Sequence, residues 1–142
     1  MADQQWSQKS RINMYTAVSA TTPLETSVLD MLNFESVLFV AQSSVTSTAQ
    51  SLRMLNGTAS TTGAGNFSEV IGDTSHTTTG GSYLDVFRPT KRFVQGQFTA
   101  SGAAGPRSLV AIRYGARSQP TTQDAVVTGT LLYSPASGTA TG

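Results

Sequence analysis

The stretch Ser82–Tyr114, SYLDVFRPTKRFVQGQFTASGAAGPRSLVAIRY, decides the fold, because three strand-like runs follow one another here with turn residues between them. The first run, Tyr83–Phe87, is rich in aromatic and β-branched residues and alternates in character. In a pleated strand Leu84 and Val86 would share one face, and the two aromatic residues and the aspartate would share the other. Pro89 then removes a ladder donor and favours a turn, so the strand ends there.

The second and third runs have the pattern of strands with one buried face. Arg92–Ala100 sets Val94 and Phe98 against two glutamines and a threonine, which is typical of a strand that is buried on one side and wetted on the other. A glycine-rich break separates this run from Leu109–Tyr114. We therefore predict an antiparallel meander of three strands, in which the turn at Arg88–Lys91 closes the first hairpin.

The predicted meander concentrates positive charge. Six cations lie on its turns and outer face: Arg88, Lys91, Arg92, Arg107, Arg113 and Arg117. One interpretation is that they are solvated surface charges, because exposed ion pairs contribute little to stability. The other is that they form a binding surface, because the planar guanidinium makes paired hydrogen bonds with carboxylates. Only 12% of the residues are charged, so six cations in this short stretch favour the second interpretation.

Composition limits the chain to one β domain. With 142 residues it is long enough to bury one core and too short for two. The low charged fraction and the abundance of serine and threonine argue against a helical bundle, which needs glutamate, lysine, alanine and leucine. There is no cysteine, so disulfides and thiolate metal sites are excluded.

Charge and hydropathy predict the kind of partner. Residues 1–81 include three basic and six acidic residues, and residues 82–142 include six basic and two acidic ones, so the halves have net charges of −3 and +4. Such asymmetry suits contact with another copy or another protein, whereas nucleic-acid binding would need a strongly basic total. No apolar run approaches the ~20 residues of a membrane helix, and the N-terminus lacks the apolar core of a secretory signal. We expect no nucleic-acid or membrane partner.

The composition of successive segments divides the chain into an N-terminal arm at 1–12, a sandwich domain at 13–134 and a C-terminal tail at 135–142. Within the domain, the Ser/Thr/Gly-rich residues 58–81 are predicted to form a long loop, which is unusual in a compact domain. The arm contains the only tryptophan of the chain, Trp6, among polar residues. This side chain either folds back onto its own domain or docks into a neighbouring chain.

Strand patterns recur along the rest of the domain. Thr22–Glu25 matches a capping box at the start of a helix, whereas the β-branched residues of the following Thr26–Asp30 favour a strand. Ser36–Ala41 is apolar on both faces, which predicts a central strand with all residues from Val37 to Val40 buried. Further strands are predicted at Met14–Ser19, Ala49–Leu55 and Val126–Tyr133. About eight strands in all predict an all-β sandwich or barrel.

No motif in the chain predicts catalysis. His76 is the only histidine, and without a nucleophile elbow a loop histidine is more often solvated than catalytic. Asp85 and Asp124 are available as paired carboxylates, but nothing in their spacing selects them. The glycines at 63 and 65 lack the third glycine and the preceding strand of a dinucleotide site. We therefore expect no catalytic residue, no cofactor, no metal site and no enzymatic activity.

Several runs resemble a known family. They are Asp85–Val94 (DVFRPTKRFV), Ala111–Thr122 (AIRYGARSQPTT) and Ser134–Thr139 (SPASGT), with the earlier Asp30–Met31 and Phe34–Phe39. Together they span most of residues 28–139. In these runs the chain resembles the capsid cement or decoration proteins of tailed bacteriophages, including those of Bordetella-infecting podoviruses.

The resemblance implies a single-domain, jelly-roll-like β-sandwich with extended termini, bound to the outer surface of an icosahedral head in the virion. It implies that the protein is made in the host cytoplasm and forms homodimers at local two-fold positions of the head. These homodimers would clamp neighbouring major capsid subunits. The partner-contact candidates are Trp6, Arg88, Lys91, Arg92, Arg113 and Arg117. The alternative is a carbohydrate- or receptor-binding virion module with aromatic residues in an exposed groove, and a hydrolase is a weaker third option.

Overall fold

The computed structural model describes residues 9–20, 23–44, 50–60, 67–76, 80–100, 105–118, 122–123 and 127. These residues form nine β-strands. Their bounds are β1 Arg11–Ala20, β2 Leu24–Glu25, β3 Leu29–Asp30, β4 Ser36–Ser43, β5 Gln50–Gly57, β6 Phe67–His76, β7 Gly80–Phe87, β8 Phe93–Ala100 and β9 Gly105–Tyr114. The pairings between them are antiparallel.

The strands form two sheets with jelly-roll topology. Sheet A has the order β1-β9-β4-β7, and sheet B has the order β2-β8-β5-β6. β3 also pairs with β8, beside β2. The strand favoured for Thr26–Asp30 is present only at Leu29–Asp30, and β2 lies at Leu24–Glu25, inside the capping-box match. Each early strand thus pairs with a late one: β1 with β9, β2 and β3 with β8, β4 with β7, and β5 with β6. The predicted all-β, jelly-roll-like sandwich of about eight strands is confirmed.

The core lies between the two sheets and comes from alternate residues of each strand. Its fully buried members include Phe39 and Leu109 from sheet A, and Leu52, Val94 and Phe98 from sheet B. The inward positions predicted for Val94 and Phe98 are confirmed. Removal of these apolar side chains from water is the main driving force for packing one sheet on the other.

Gly96 of β8 lets the two sheets approach closely. A Cβ atom on this residue would lie 2.5 Å from both Cδ1 and Cε1 of Phe39, a distance that real Cβ contacts essentially never show. The Phe39 ring is fully buried on β4, so it cannot move aside into solvent. Only glycine fits at this position, and the ring and the bare backbone together set the local spacing of the sheets.

β4 is central in sheet A, as predicted, but only one of its faces is covered. It lies between β9 and β7, with Val37, Phe39 and Ala41 fully buried on the inner face. The expectation that Leu38 and Val40 are also buried is wrong, because Leu38 is half-buried and Val40 is 38% exposed on the outer face. A run that is apolar on both faces is buried on both only if a second layer packs on each, and sheet B covers one.

The predicted meander is wrong. β7 lies in sheet A, β8 in sheet B and β9 again in sheet A, so the segment 88–92 crosses between the sheets instead of closing a hairpin. Alternation of apolar and polar residues is the same for two strands that pair and for two strands that face each other. The pairing is set by distant strands, because β7 pairs with β4, and β8 with β5, over their whole lengths.

The predicted loop at 58–81 is wrong at 67–76 and 80–81, which belong to β6 and β7. β6 forms an edge of sheet B by pairing with β5. An edge strand needs few apolar side chains, since its backbone makes the ladder hydrogen bonds and one of its sides is open to water. Richness in serine, threonine and glycine is therefore compatible with a strand at this position.

The N-terminal arm predicted at 1–12 ends earlier than expected. β1 begins at Arg11, which is paired with Arg113 of β9 and so belongs to sheet A. The other predictions for the termini lie outside the described residues: Trp6, the tail at 135–142 and, apart from Val127, the strand at Val126–Tyr133.

Replacing Phe39 with alanine should lower the free energy of unfolding by about 3–5 kcal/mol, because a fully buried ring is removed from a close-packed core. Val40→Ala, on the outer face of the same strand, is the matched control and should cost less than ~1 kcal/mol. The measurement is urea unfolding followed by circular dichroism. Equal midpoints for the two variants would contradict the assignment of the inner face.

Gly96→Ala should destabilise the domain by about 1–3 kcal/mol, because the added methyl group overlaps the Phe39 ring. The same substitution in a Phe39→Leu background should cost less, since the obstacle is then a smaller and more adaptable side chain. A double-mutant cycle from urea unfolding measures this coupling. Strictly additive effects would show that the ring is not what excludes the methyl group.

Candidate functional site

Three loops meet at one end of the sandwich and enclose a groove. They are the turn at 31–35 after β3, the connection at 88–92 between β7 and β8, and the segment 115–118 after β9. The groove has a volume of about 340 Å³. Its lining combines cations with apolar residues: Met31, Leu32, Phe34, Glu35, Arg88, Pro89, Thr90, Lys91, Arg92 and Arg117.

Asp30 holds the first two loops together. Its carboxylate accepts hydrogen bonds from Nε and Nη2 of Arg92 at 2.8 and 2.7 Å, and from the backbone N–H of Leu32 at 3.0 Å. The backbone N–H of Met31 donates to the carbonyl oxygen of Arg92 at 2.8 Å. The tight turn that results presents the Leu32 side chain to solvent, where it is 62% exposed.

Arg88 has an unusual backbone conformation for a residue before proline. Its φ is 51°, in the left-handed region that residues other than glycine rarely adopt. Its N–H donates to the carbonyl oxygen of Glu35 at 2.8 Å, and its guanidinium lies 4.9 Å from the centroid of the Phe87 ring. Its Nη2 also reaches Oε1 of Glu35 at 3.4 Å. These contacts hold a conformation that the residue would not favour alone.

The third loop is attached to the first by Asn33. The side-chain Oδ1 atom of Asn33 accepts hydrogen bonds from the backbone N–H and the hydroxyl of Ser118, both at 3.1 Å. The backbone carbonyl oxygen of Asn33 accepts a hydrogen bond from the backbone N–H of Arg117 at 2.9 Å. Gly115 allows this close approach, since it has a φ of 69° and a Cβ atom there would lie 3.1 Å from Cβ of Glu35. The Arg117 side chain is thereby placed on the groove.

The groove carries more positive than negative charge. Four cations line it: Arg88, Lys91, Arg92 and Arg117. Two carboxylates pair with two of them, Glu35 with Arg88 and Asp30 with Arg92. The two arginine side chains of these pairs are 68% and 51% exposed, so the pairs contribute little to folding stability. Their effect is to hold guanidinium groups in place on a surface that attracts carboxylates.

Arg113 and Arg107 point into the sandwich, so the prediction that they lie on a turn or an outer face is wrong. On β9 they alternate in step with Leu109, which faces the core. Nη1 of Arg113 donates to the carbonyl oxygen of Asp30 at 3.1 Å, and Nη2 donates to Oδ1 of Asn13 at 3.0 Å. This buried guanidinium connects β9 of sheet A to the end of β3 in sheet B, next to the groove.

The groove brings together four of the predicted contact residues, while Arg113 is buried beside it and Trp6 lies outside the described residues. Leu32 and Glu35 are not identifiable from the sequence as members of the site, because they are far along the chain from the cations. One local signal does mark their loop. The aspartate and asparagine in Asp30–Asn33 are typical turn residues, and the structure uses both as acceptors.

Two ionisable groups near the groove have shifted pKa values. The hydrogen bonds from Arg92 hold the pKa of Asp30 below its usual value, against the opposing effect of partial burial. Burial, and then the hydrogen bond that Tyr114 donates to Oδ1 of Asp85 at 2.6 Å, raise the pKa of Tyr114. Both shifts move the groups further from neutral pH, so the carboxyl stays ionised and the phenol stays protonated there.

The groove presents fixed cations beside an exposed apolar side chain. In the parts of the chain that the structure describes, no group of three or more histidine, cysteine, aspartate or glutamate side chains could hold a metal ion. No helix within those ranges is long and apolar enough to cross a membrane. The arrangement of fixed cations around the exposed Leu32 suits an acidic group flanked by apolar side chains.

Comparison with known proteins shows the fold. No family model matches the sequence, and no curated protein matches it. A structure of Bacillus endospore appendages, described as disulfide-linked pili, has a TM-score of 0.50 and 13% identity over 80% of this chain and 96% of that one. The PBSX exported protein XepA has a TM-score of 0.59 and 11% identity over 93% of this chain and 46% of that one. A chain in the structure of infectious bursal disease virus, Gx strain, has a TM-score of 0.32 and 14% identity over 80% of this chain and 31% of that one.

Asp30→Asn should remove part of the acid sensitivity of the domain. Because the folded pKa of Asp30 is lowered, its carboxylate stabilises the fold above its unfolded pKa of about 4, and this contribution is lost as the pH falls through the folded pKa. The parent should therefore lose its advantage in stability over Asp30→Asn as the pH falls from about 4 through the lowered folded pKa of Asp30. Urea unfolding at several pH values measures the difference. A difference that stays constant over this range would contradict the role of the Asp30–Arg92 pair.

Proposed function

We propose that this protein is a non-enzymatic structural component of a phage virion, which binds the outer surface of the head and cements neighbouring major capsid subunits. The observation that carries the proposal is the cationic groove, in which three interconnected loops hold Arg88, Lys91 and Arg117 in an exposed recess. Cations placed in this way bind carboxylates of another protein through charge-assisted hydrogen bonds.

The residues that line the groove also carry the resemblance to cement and decoration proteins. Arg88, Lys91 and Arg92 lie in the run Asp85–Val94, and Arg117 lies in the run Ala111–Thr122. The runs that carry the resemblance thus include all four groove cations, together with the buried Arg113. This overlap supports the proposed role beside the fold, which alone serves many functions.

The similar folds add support for a role in an assembly. XepA is an exported protein of PBSX, and the endospore appendages form pili. Those pili are disulfide-linked, whereas this chain has no cysteine. Its proposed attachment must therefore depend on non-covalent contacts, which makes the shape and charge of its surface decisive.

A cement protein stabilises a shell by binding the assembled lattice in preference to free subunits. Such binding lowers the free energy of the assembled state by mass action, so the shell resists the pressure of packaged DNA. A β-sandwich with a packed core suits the role, because it keeps its contact surface in one shape. Repetition of the contact over many copies adds avidity to an affinity that is modest for each copy.

The proposed partner is the major capsid protein, which would supply carboxylates to the groove. A second copy at a local two-fold position, which the sequence resemblance implies, is also part of the proposal. No cofactor, nucleic acid or membrane takes part in it. A receptor-binding module on the tail would be present in few copies per particle, so band densities in a gel of purified virions separate the two functions.

Arg88→Gln/Arg117→Gln should weaken attachment to the head by about 2 kcal/mol or more, because the carboxylates that face these cations lose their partners. The domain should stay folded, since both side chains are exposed. Arg92 is left in place because its pair with Asp30 shapes the loop. The measurement is co-sedimentation with heads stripped of this protein, at low and high salt, with circular dichroism to check folding.

Arg53→Gln is the matched control for this experiment. Arg53 lies on the outer face of sheet B, where its Nε donates to Oε1 of Gln97, so the control removes a cation away from the groove. Attachment should be unchanged. Binding of the double variant as tight as that of the parent at both salt concentrations would place the contact elsewhere. A parent protein that does not bind stripped heads would contradict the proposed function itself.

A further inference from the structure

The outer face of sheet A carries a row of apolar side chains that is open to solvent, beside the exposed Asp85. The strand register aligns Met14, Val110, Val40 and Tyr83 in one row across β1, β9, β4 and β7. Tyr83 is 71% exposed, Met14 49% and Val40 38%, and Phe87 at the end of β7 is 65% exposed. With strands ~4.8 Å apart, the row runs about 20 Å across the sheet. Contiguous exposed apolar side chains are often part of interaction sites.

The outer face of sheet B has the opposite character. Its side chains bond to one another: Gln97 donates to Glu25, Arg53 donates to Gln97, and Ser51 and Thr99 share a hydrogen bond. A polar face whose groups are satisfied in this way needs no partner. Among the strand residues whose burial the structure describes, the large exposed apolar ones belong to sheet A, so the described parts of the two outer faces differ.

The apolar face continues into the cationic groove. Phe87 is the last residue of β7, and the guanidinium of Arg88, which lines the groove, lies over the Phe87 ring. Leu32 is exposed in the same groove. The apolar row and Phe87 therefore adjoin the cationic groove, with Asp85 between Tyr83 and Phe87 on β7. Apolar and arginine side chains together are common in specific protein interfaces.

Charge complementarity favours an acidic partner over a second copy on this surface. The four carboxylates whose side chains the structure describes accept hydrogen bonds within the chain: Glu25 from Gln97, Asp30 from Arg92, Glu35 from Arg88 and Asp85 from Tyr114. A second copy would bring four more groove cations, and each of its four described carboxylates already accepts a hydrogen bond within its own chain. A partner that supplies its own carboxylates at the edge of an apolar patch satisfies both parts of the surface.

We propose that the outer face of sheet A is the surface that lies against the shell, and that its occupant is an apolar patch edged by carboxylates on the major capsid subunit. This inference rests on the proposed function and extends it, because it orients the sandwich. Sheet A faces the shell, the groove contacts the carboxylates at the edge of the patch, and the polar face of sheet B is turned to solvent.

The test compares two glutamate substitutions on central strands. Val40→Glu puts a charge in the middle of the apolar face, whereas Leu55→Glu puts the same charge on the outer face of sheet B. Binding to heads stripped of this protein is measured by co-sedimentation, and the oligomeric state is measured by analytical ultracentrifugation. We expect Val40→Glu to weaken binding roughly tenfold or more and Leu55→Glu to bind as the parent does.

Tyr83→Ser keeps the test independent of the introduced charge. The side chain is 71% exposed, so its removal should leave the domain folded, and the lost apolar contact should weaken binding to heads severalfold. The inference would be overturned if Val40→Glu and Tyr83→Ser both bound heads as tightly as the parent. The proposed function would still stand if Arg88→Gln/Arg117→Gln lost binding in the same experiment. A parent dimer that Val40→Glu converts to monomers would assign the face to a second copy and overturn the inference too. Failure of the parent to bind heads would overturn both.

Discussion

The contact between the Phe39 ring and the bare backbone of Gly96 determines how closely the two sheets approach each other. The separation of the sheets matters beyond the core. At one end of the sandwich it brings the buried guanidinium of Arg113, from sheet A, to 3.1 Å from the carbonyl oxygen of Asp30, from sheet B. Asp30 in turn orients Arg92 on the groove. The position of Arg92 on the surface therefore depends on packing in the interior. The contributing groups are the Phe39 ring, the buried guanidinium of Arg113 and the carboxylate of Asp30.

The faces of the strands could be predicted from the sequence, but the partners of the strands could not. Alternation at Tyr83–Phe87 correctly separates Leu84 and Val86, which are partly buried, from the exposed aromatic side chains. The same alternation does not distinguish a neighbour in the sheet from a strand in the opposite sheet. In a jelly roll most pairings join strands that are distant in the chain, so a turn such as that at 88–92 is not evidence of a hairpin. The strand at 67–76 is missed for a different reason, since its pairing relies on backbone groups that every residue possesses.

The candidate site could be predicted as a group of cations but not as a geometry. Arg88, Lys91, Arg92 and Arg117 do share a groove, because the connections at 88–92 and 115–118 lie at the same end of the sandwich. The residues that position them are remote. Asp30 is 62 positions from Arg92, Glu35 is 53 positions from Arg88, and Asn33 is 85 positions from Ser118. No local pattern predicts contacts over such separations, whereas the inward position of Arg113 follows from alternation with Leu109 alone.

The exposed ion pairs at the groove are better explained by binding than by stability. Pairs of this kind stabilise a folded protein little, yet a free arginine gives up about 0.5–1.5 kcal/mol of side-chain freedom when a partner fixes it. Arg92, held by Asp30, and Arg88, held by Glu35 and the Phe87 ring, are already restricted in the free protein. In the proposed role on a shell with many equivalent sites, a small gain in affinity for each copy would be multiplied across the lattice. A net charge of only +1 fits the same proposed role, because a nearly neutral chain is not attracted to every acidic surface and would attach only where shape, apolar contact and charge coincide.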